Sequence, residues 1–446
     1  MNSMPQNNGY PITIPLLVDN VQEQPKLGAN ESTELNTKGQ LSKSGSTTFC
    51  KTCFNGLNAL SGVGILSIPY ALSSGGWFSL ILLLAIASSA FYTGLLIQRC
   101  MDMDSSIRSY PDIGDRAFGP KGRALVSILM HAELYLVAIG FLILEGDNLS
   151  YLFPNTGFVI GGFGIDARQS FVIMVGLIIL PTVWLNNMSI LSYVSASGVA
   201  ASIVLLCSIL WLGAFDGIGF HGKGSFVHWN GIPTAVSLYA FCYCAHPVFP
   251  TLYTSMSNQK QFSKVLILCF FLCTFTYGLM AISGYLMFGS DVQSQITLNL
   301  PSDRISSRIV IYTTLITPIT KYALIVTPIV NAIENKVLSG SKKRWPSLLI
   351  RTNLVLSSVI VALAIPIFGY LMSLVGAFLS ITASIILPCL CFLKISGTYR
   401  IFSFQLVIIG GIMVTGIAIM IIGTYTSILE ILGHFVNGDK TEARPF

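Results

Sequence analysis

Long apolar segments separated by short polar connections follow one another along most of the chain. A helix that crosses a bilayer needs about 20 consecutive, mainly apolar residues, and its backbone polar groups must be satisfied within the segment. These runs are continuous rather than alternating, so they predict helices and not the strands of a barrel. Eleven spans are predicted, over residues 47–74, 77–101, 122–151, 169–187, 190–215, 232–256, 261–288, 304–335, 346–366, 367–393 and 401–434.

The two ends of the chain are predicted to lie outside this helical bundle. Residues 1–45 are rich in Asn, Ser, Thr, Gln and Gly without apolar periodicity, which predicts a disordered cytoplasmic tail. Residues 46–436 are predicted to form a single transmembrane transporter domain, and residues 437–446 a short non-cytoplasmic tail. The predicted fold class is therefore an all-α polytopic membrane protein.

Composition and charge support the same conclusion. Of the 446 residues, 53% are hydrophobic and 10% are charged, whereas soluble domains carry about 25% charged residues. With the N-terminus in the cytoplasm, eighteen Lys and Arg residues fall in the inner segments and six in the outer ones. This asymmetry follows the positive-inside rule. It predicts a cytoplasmic N-terminus and, with eleven spans, a C-terminus on the opposite side.

The reactive side chains do not predict an enzyme or a metal site. All ten cysteines lie within or at the ends of apolar runs. Cys50 and Cys53 have the spacing of a redox or metal motif, but no second pair and no His cluster accompanies them. A paired acid and nucleophile at a membrane surface is also missing. We therefore predict no catalytic residue, no metal ligand, no cofactor and no nucleic-acid partner.

Two of the predicted spans contain residues that interrupt a helix. The first carries Gly62 and Gly64 at its centre, and glycine permits non-helical dihedrals. The sixth carries Pro247 and Pro250, which remove backbone donors and clash with the preceding turn. Such residues also occur where membrane helices merely pack or kink. Their positions five spans apart instead indicate two inverted five-helix halves plus one extra helix, with the broken helices at a central transport site.

The interruptions predict what binds there. Free amide groups at one half-helix suit a carboxylate, and free carbonyls at another suit an ammonium. Neither broken segment holds an acid or an arginine, so the predicted substrates are small neutral amino acids. An aromatic ring, Phe241 or Tyr243, is a candidate gate. The predicted substrate-binding residues are Asn58, Ser61, Gly62, Val63, Gly64, Tyr239, Phe241, Cys242, Tyr243, Ala245 and His246.

Ionisable residues within the spans require an explanation, because a charge at the bilayer centre costs about 2.5–3.5 kcal/mol on insertion scales. Lys321 in the eighth span is either a fixed structural cation or a group that gains and loses a proton during transport. Glu133 in the third span is its counter-ion, a proton relay or a hydrogen-bonded acid. His246 is a packed core residue or a sensor of an acidic compartment. Glu145 and Asp147 are predicted to line a vestibule or to pair with loops. The predicted proton-coupling residues are Lys321 and Glu133.

Three stretches carry a resemblance to a known family, namely residues 53–58 with Pro69 and Tyr70, residues 144–149, and residues 320–324. Over about residues 46–434, the chain resembles the amino acid/auxin permease family, and within it the vacuolar amino acid transporter branch. The resemblance implies the leucine-transporter fold and coupled amino acid transport. Sodium-coupled transporters of that fold hold a cation between their first and eighth helices, where the resemblance places Lys321.

The sequence thus predicts a proton-coupled secondary active transporter of small neutral amino acids that works by alternating access. Its predicted partners are these amino acids, protons and the lipid bilayer. A vacuolar membrane is the preferred location, and a plasma membrane is the alternative. Two other functions remain open at this point: a sodium-coupled transporter, and a transporter-like sensor that binds an amino acid and signals through the N-terminal tail.

Overall fold

The chain passes back and forth between the two ends of a helical bundle. A computed structural model describes residues 47–154, 156–160, 163–184, 188–222, 224–337, 344–365 and 367–442. The predicted tail over residues 1–45 therefore lies outside the described residues. We call the end of the bundle that holds Thr47 the first face, and the end that holds Phe153 the second face.

The structure is almost entirely helical. Its α-helices are α1 (Phe49–Leu60), α2 (Ile68–Gly75), α3 (Ser79–Met103), α4 (Tyr110–Leu152), α5 (Ala167–Trp184), α6 (Met188–Ala214), α7 (Ile232–Cys242), α8 (Phe249–Ser255), α9 (Phe262–Phe288), α10 (Ile305–Val337), α11 (Arg344–Ala364), α12 (Phe368–Leu374), α13 (Leu387–Ser396) and α14 (Phe404–Glu442). Two π-helical turns, Val375–Ser380 and Thr382–Ile386, join α12 to α13. An antiparallel hairpin of β1 (Phe158–Ile160) and β2 (Phe163–Ile165) connects α4 to α5.

Nine helical segments of the described chain are long and apolar enough to cross a membrane. This confirms an all-helical polytopic membrane protein. The pass made by α1 and α2 is too interrupted to be counted among the nine, and α6 contributes only the shorter apolar stretch Gly198–Ala214. The total of eleven spans and the inverted repeat remain predictions.

Two helices extend beyond the apolar spans predicted from the sequence. The helix α4 begins at Tyr110 rather than at residue 122, and Ser109 and Asp112 form a capping box at its start. Its first turns are too polar to be recognised as a membrane segment. The backbone leaves helical geometry at Gly119, where φ is 69°, a value that favours glycine. At the other end of the chain, α14 continues to Glu442, beyond residue 436.

Both predicted interruptions are present. After α1 ends at Leu60, a 3-10 turn over Val63–Leu66 precedes α2. After α7 ends at Cys242, a 3-10 turn over His246–Val248 precedes α8. We call residues 61–67 the first break and residues 243–248 the second break. The helices α2 and α7 pack against each other, α9 packs on α1 and α2, and α10 packs between α4 and α6, so both breaks lie inside the bundle.

Candidate functional site

A cavity of about 190 Å³ lies where the two breaks meet. Gly64 of the first break makes this approach possible. A Cβ atom on Gly64 would lie 2.6 Å from the Sγ of Cys242 and 3.2 Å from the ring of Phe241. Any larger residue would therefore push the broken passes apart. Gly62 differs, because a Cβ atom there would meet no other atom within 4 Å. It leaves open space at the cavity wall.

The cavity extends from the breaks toward the first face. On α10, its lining runs through successive turns from Lys321 to Pro328, which is nearer that face. On α4, it runs from Phe141 back to Met130 in the same direction. The full lining is Asn55, Asn58, Ala59, Leu60, Gly62, Val63, Gly64, Met130, Glu133, Leu134, Val137, Phe141, Phe241, Cys242, Cys244, Pro247, Val248, Lys321, Leu324, Ile325 and Pro328.

The side chain of Lys321 crosses from α10 to the first break. Its Nζ atom donates to the carbonyl oxygen of Ser61 over 3.5 Å, and the residue is buried. Gly198 of α6 makes room for this contact. A Cβ atom on Gly198 would lie 2.8 Å from the Nζ of Lys321 and 2.2 Å from the Oδ1 of Asn58. Three helices thus converge around one ammonium group.

Glu133 lines the same cavity without pairing with Lys321. Its Oε1 accepts a 2.6 Å hydrogen bond from the Oγ of Ser380, in the π-helical turn between α12 and α13. Lys321 has its own contact at the carbonyl of Ser61. The lining of the cavity therefore includes one basic and one acidic side chain, each with a separate partner. Glu133 is therefore hydrogen-bonded, an arrangement that suits a structural acid and a proton relay alike.

Tyr277 of α9 joins the two broken passes. Its hydroxyl donates to the carbonyl of Leu60 over 2.6 Å and contacts the carbonyl of Cys242 at 3.4 Å. These are the last residues of α1 and α7, and the Leu60 carbonyl also accepts from the N–H of Gly62 over 2.9 Å. The side chain is fully buried. Tyr277 thus satisfies backbone groups that the breaks expose, and it holds α1 and α7 together.

The structure places the predicted binding residues in different surroundings. Six line the cavity: Asn58, Gly62, Val63, Gly64, Phe241 and Cys242. Ser61 lies on the other side of the first break, where its hydroxyl contacts that of Ser202 at 2.6 Å. That contact borders a smaller cavity of about 30 Å³, which is also lined by Thr313, Thr314 and Thr317.

The remaining four are buried away from the cavity. The hydroxyl of Tyr239 contacts Ser79, and that of Tyr243 donates to Thr274. The Nε2 of His246 lies 2.9 Å from the Oγ1 of Thr93 and 3.0 Å from the carbonyl of Ala90, both on α3. Ala245 is also buried.

Sequence reasoning missed several residues at the site. Tyr277, Gly198, Ser380 and Cys244 come from elements far apart in the chain, and each owes its role to a contact across the bundle. Only Cys244 had a local signal, because it lies in the predicted second break. Within the described residues, no group of three or more His, Cys, Asp or Glu side chains could hold a metal ion.

Substitution of Gly198 by alanine should weaken both the fold and uptake. The added methyl group would overlap Asn58 and Lys321, and overpacking of this kind costs about 1–3 kcal/mol. We expect a lower unfolding temperature in detergent and slower substrate uptake into proteoliposomes. Gly410→Ala is the matched control, because a Cβ atom on Gly410 meets nothing within 4 Å. Equal unfolding temperatures and uptake rates for the two variants would contradict the convergence of helices at Gly198.

Comparisons with known proteins agree with this geometry. The chain is 60% identical over 395 residues to Amino acid transporter AVT1J of Arabidopsis thaliana, covering 88% of this chain and 93% of that protein. It is 56% identical over 401 residues to Amino acid transporter AVT1I of the same organism, covering 90% of this chain and 99% of that protein. Both relatives are named as transporters and not as enzymes.

Solved structures show the same fold at low sequence identity. The inward-facing conformation of Mhp1 matches with a TM-score of 0.54 and 13% identity, covering 83% of this chain and 89% of that one. MhsT in complex with L-phenylalanine matches with a TM-score of 0.53 and 13% identity, covering 85% of this chain and 97% of that one. These likenesses support the leucine-transporter fold implied by the sequence resemblance. By the match over residues 45–429, the chain belongs to the transmembrane amino acid transporter protein family.

Proposed function

We propose that the protein is a secondary active transporter that moves small neutral amino acids by alternating access, driven by a proton gradient. The observation that carries this proposal is the cavity between the two breaks, with the Lys321 ammonium bound to the first break beside it. Family membership supports transport of amino acids. Substrate size, charge and coupling ion are proposed from the site itself.

The backbone of the two breaks is suited to the ends of an amino acid. Val63 and Gly64 begin a 3-10 turn, and the first N–H groups of a helical turn have no intrahelical acceptor. Both residues line the cavity, so their amides are proposed to bind the substrate carboxylate. The substrate ammonium is proposed to lie toward the carbonyls at the end of α7. Gly62 leaves the space through which the substrate approaches.

The charges at the cavity favour a substrate with a neutral side chain. Glu133 and Lys321 have opposite signs and are each held by a partner within the protein. Neither is free to neutralise a charged substrate side chain without giving up that partner. The other lining residues are apolar or uncharged. The proposed substrates are therefore amino acids such as alanine and leucine.

Lys321 is proposed to take the place of a bound sodium ion. Its ammonium group contacts the carbonyl of Ser61, a type of oxygen that could otherwise coordinate a cation. A fixed positive charge repels a second cation at short range in a medium of low dielectric constant. Loss of its proton would weaken this contact, because a neutral amine is a poorer donor than an ammonium, so protonation and conformation are proposed to be coupled. Glu133, which lines the same cavity, is the proposed second member of the proton pathway.

The orientation follows from charge. We propose that the first face is cytoplasmic, because the Lys and Arg residues are concentrated in segments at that end. The cavity would then open to the cytoplasm in this conformation. Alternating access is proposed to occur by movement of two inverted five-helix halves, with α14 as the added helix. A vacuolar membrane is the proposed location, with a plasma membrane as the alternative.

Substrate competition tests the proposed selectivity. Purified protein in liposomes loaded with unlabelled alanine should take up labelled alanine by exchange. External leucine should compete, whereas lysine and glutamate should not, because the two charges at the cavity already have partners. Competition by lysine or glutamate as strong as by leucine would contradict the proposed substrate class. Binding of alanine without any flux would instead indicate the sensor.

A further inference from the structure

Glu145 of α4 is a buried acid for which the transport site gives no role. Its exposed fraction is 0%, and neither carboxyl oxygen has a hydrogen-bond partner among the described residues. Two other acids in the membrane part of the same helix, the buried Glu133 and the partly buried Asp147, have partners. Glu133 accepts from Ser380, and Asp147 binds Arg168 through a 2.6 Å ion pair. Glu145 is therefore the acid of α4 whose carboxyl lacks a donor.

The position of Glu145 relates it to the cavity. It follows Phe141, which lines the cavity, by four residues, and residues four apart lie on the same side of a helix. Glu133 precedes it by twelve residues, which corresponds to about 18 Å along the helix axis at 1.5 Å per residue. Glu145 thus lies on the second-face side of the cavity, beyond the point where the cavity closes.

A buried polar network begins within one turn of Glu145, on the side of the second face. Asn148, one turn further along α4, donates to the Oε1 of Gln295 over 2.7 Å, and Gln295 donates to Asp147 over 2.8 Å. The ion pair with Arg168 continues this network to α5. Asn148 and Gln295 have no exposed surface. The Oδ1 of Asn148 also lacks a donor, so oxygen atoms without donors occur on two adjacent turns.

Charged groups on the helices packed against α4 do not neutralise Glu145. Arg168 of α5 is engaged by Asp147, and Lys321 of α10 by Ser61. Near the first face, Arg351 of α11 pairs with Glu334 of α10. Other charged or titratable side chains of these helices include Arg308, which donates to the Ser302 carbonyl, and Tyr322, which contacts Ser358. They also include the exposed Tyr312, Lys336 and Lys394, the buried thiols of Cys389 and Cys391 on α13, and Tyr370 of α12. An ionised carboxylate without a donor is costly in such surroundings.

We propose that Glu145 is a second proton-binding site, separate from Lys321. It holds a proton while the second face is closed. It exchanges that proton with the aqueous compartment beyond the second face when the network of Asn148, Gln295 and Asp147 opens. The ligand is therefore a proton, delivered from the side opposite to the present opening of the cavity. This inference rests on the proposed proton-coupled transport. It adds that the proton enters from the compartment beyond the second face.

Infrared difference spectroscopy tests whether Glu145 carries a proton, without any need for transport. The purified protein in lipid at neutral pH should show a C=O band of a protonated carboxyl that disappears in Glu145→Gln. Glu430→Gln is the matched control, since Glu430 is a partly buried acid of α14 that accepts from Thr234. The band should persist in that variant. Loss of carboxylate bands in Glu145→Gln, with no loss of the protonated band, would overturn the proposal.

A flux measurement then tests the role of this proton. The number of protons moved per amino acid, followed with a pH dye, should fall in Glu145→Gln while substrate exchange persists. An unchanged ratio would overturn the proposal. If the unmodified protein moves no protons, the proposed coupling fails, and the infrared result still decides whether Glu145 holds a proton. If the glutamine variant does not fold, Glu145→Leu replaces it, because an apolar group in an apolar site leaves no unsatisfied polar atom.

Discussion

Replacement of Lys321 by alanine is expected to reduce accumulation driven by a pH gradient to the level of empty liposomes. Exchange of labelled for unlabelled substrate should continue in the same preparation. The reason is that the proposed substrate contacts come from the backbone amides and carbonyls of the two breaks, whereas the side chain of Lys321 contacts the Ser61 carbonyl. Loss of both accumulation and exchange in a correctly folded variant would place Lys321 in substrate binding instead.

Lys321→Arg separates proton transfer from the presence of a positive charge. A guanidinium stays protonated under all physiological conditions, so this variant keeps a cation at the first break but cannot release a proton. We expect this variant not to accumulate substrate under a pH gradient, whatever its rate of substrate exchange. Lys336→Ala, at the exposed end of the same helix, is the control and should behave like the unmodified protein. Accumulation driven by a pH gradient in the arginine variant would rule out coupling through Lys321.

Gly62→Val is expected to abolish uptake while leaving expression and the unfolding temperature unchanged. A Cβ atom at this position meets no atom within 4 Å, and the backbone is extended, with φ −92° and ψ −169°. A β-branched residue is therefore compatible with the local backbone. Its side chain would occupy the space at the cavity wall through which the carboxylate approaches. We expect the uptake rate to fall at least about tenfold, equivalent to roughly 1.4 kcal/mol.

Gly411→Val controls for the effect of valine in a membrane helix. Gly411 lies on the exposed surface of α14, and a Cβ atom there also meets nothing within 4 Å. Uptake by this variant should match that of the unmodified protein. Normal uptake by Gly62→Val would show that the first break is not where the substrate binds. A lowered unfolding temperature for Gly62→Val alone would mean that Gly62 is needed for the fold.

The two breaks could be located from sequence because glycine and proline act locally. Gly62, Gly64 and Pro247 change the backbone at their own positions, whatever surrounds them. The directions in which the neighbouring side chains point could not be predicted from the sequence. The 3.6-residue periodicity of a helix tells which side of it a residue occupies, and this periodicity stops at a break. Tyr243 and His246 therefore looked equivalent to Phe241 in sequence. In the structure, only Phe241 of these three lines the cavity.

Contacts across the bundle set the remaining features of the site. Tyr277 binds carbonyls at both breaks, and its position in an apolar span carried no sign of this. In the sequence, Gly198 is one of many small residues in membrane helices. Its role depends on its contacts with Lys321 and Asn58, which only the structure shows. Hydropathy likewise gave no sign of the turns of α4 before Gly119, because those turns are polar and precede the apolar span. Such features depend on tertiary packing, which one sequence does not reveal.

The most direct test of the central claim is uptake of labelled alanine by the purified, unmodified protein in liposomes. One set of liposomes carries an imposed pH gradient, and a matched set carries an imposed sodium gradient without a pH difference. We predict accumulation with the pH gradient that is unchanged when sodium is replaced by potassium or choline. Accumulation that requires sodium, with none driven by the pH gradient, would contradict this prediction.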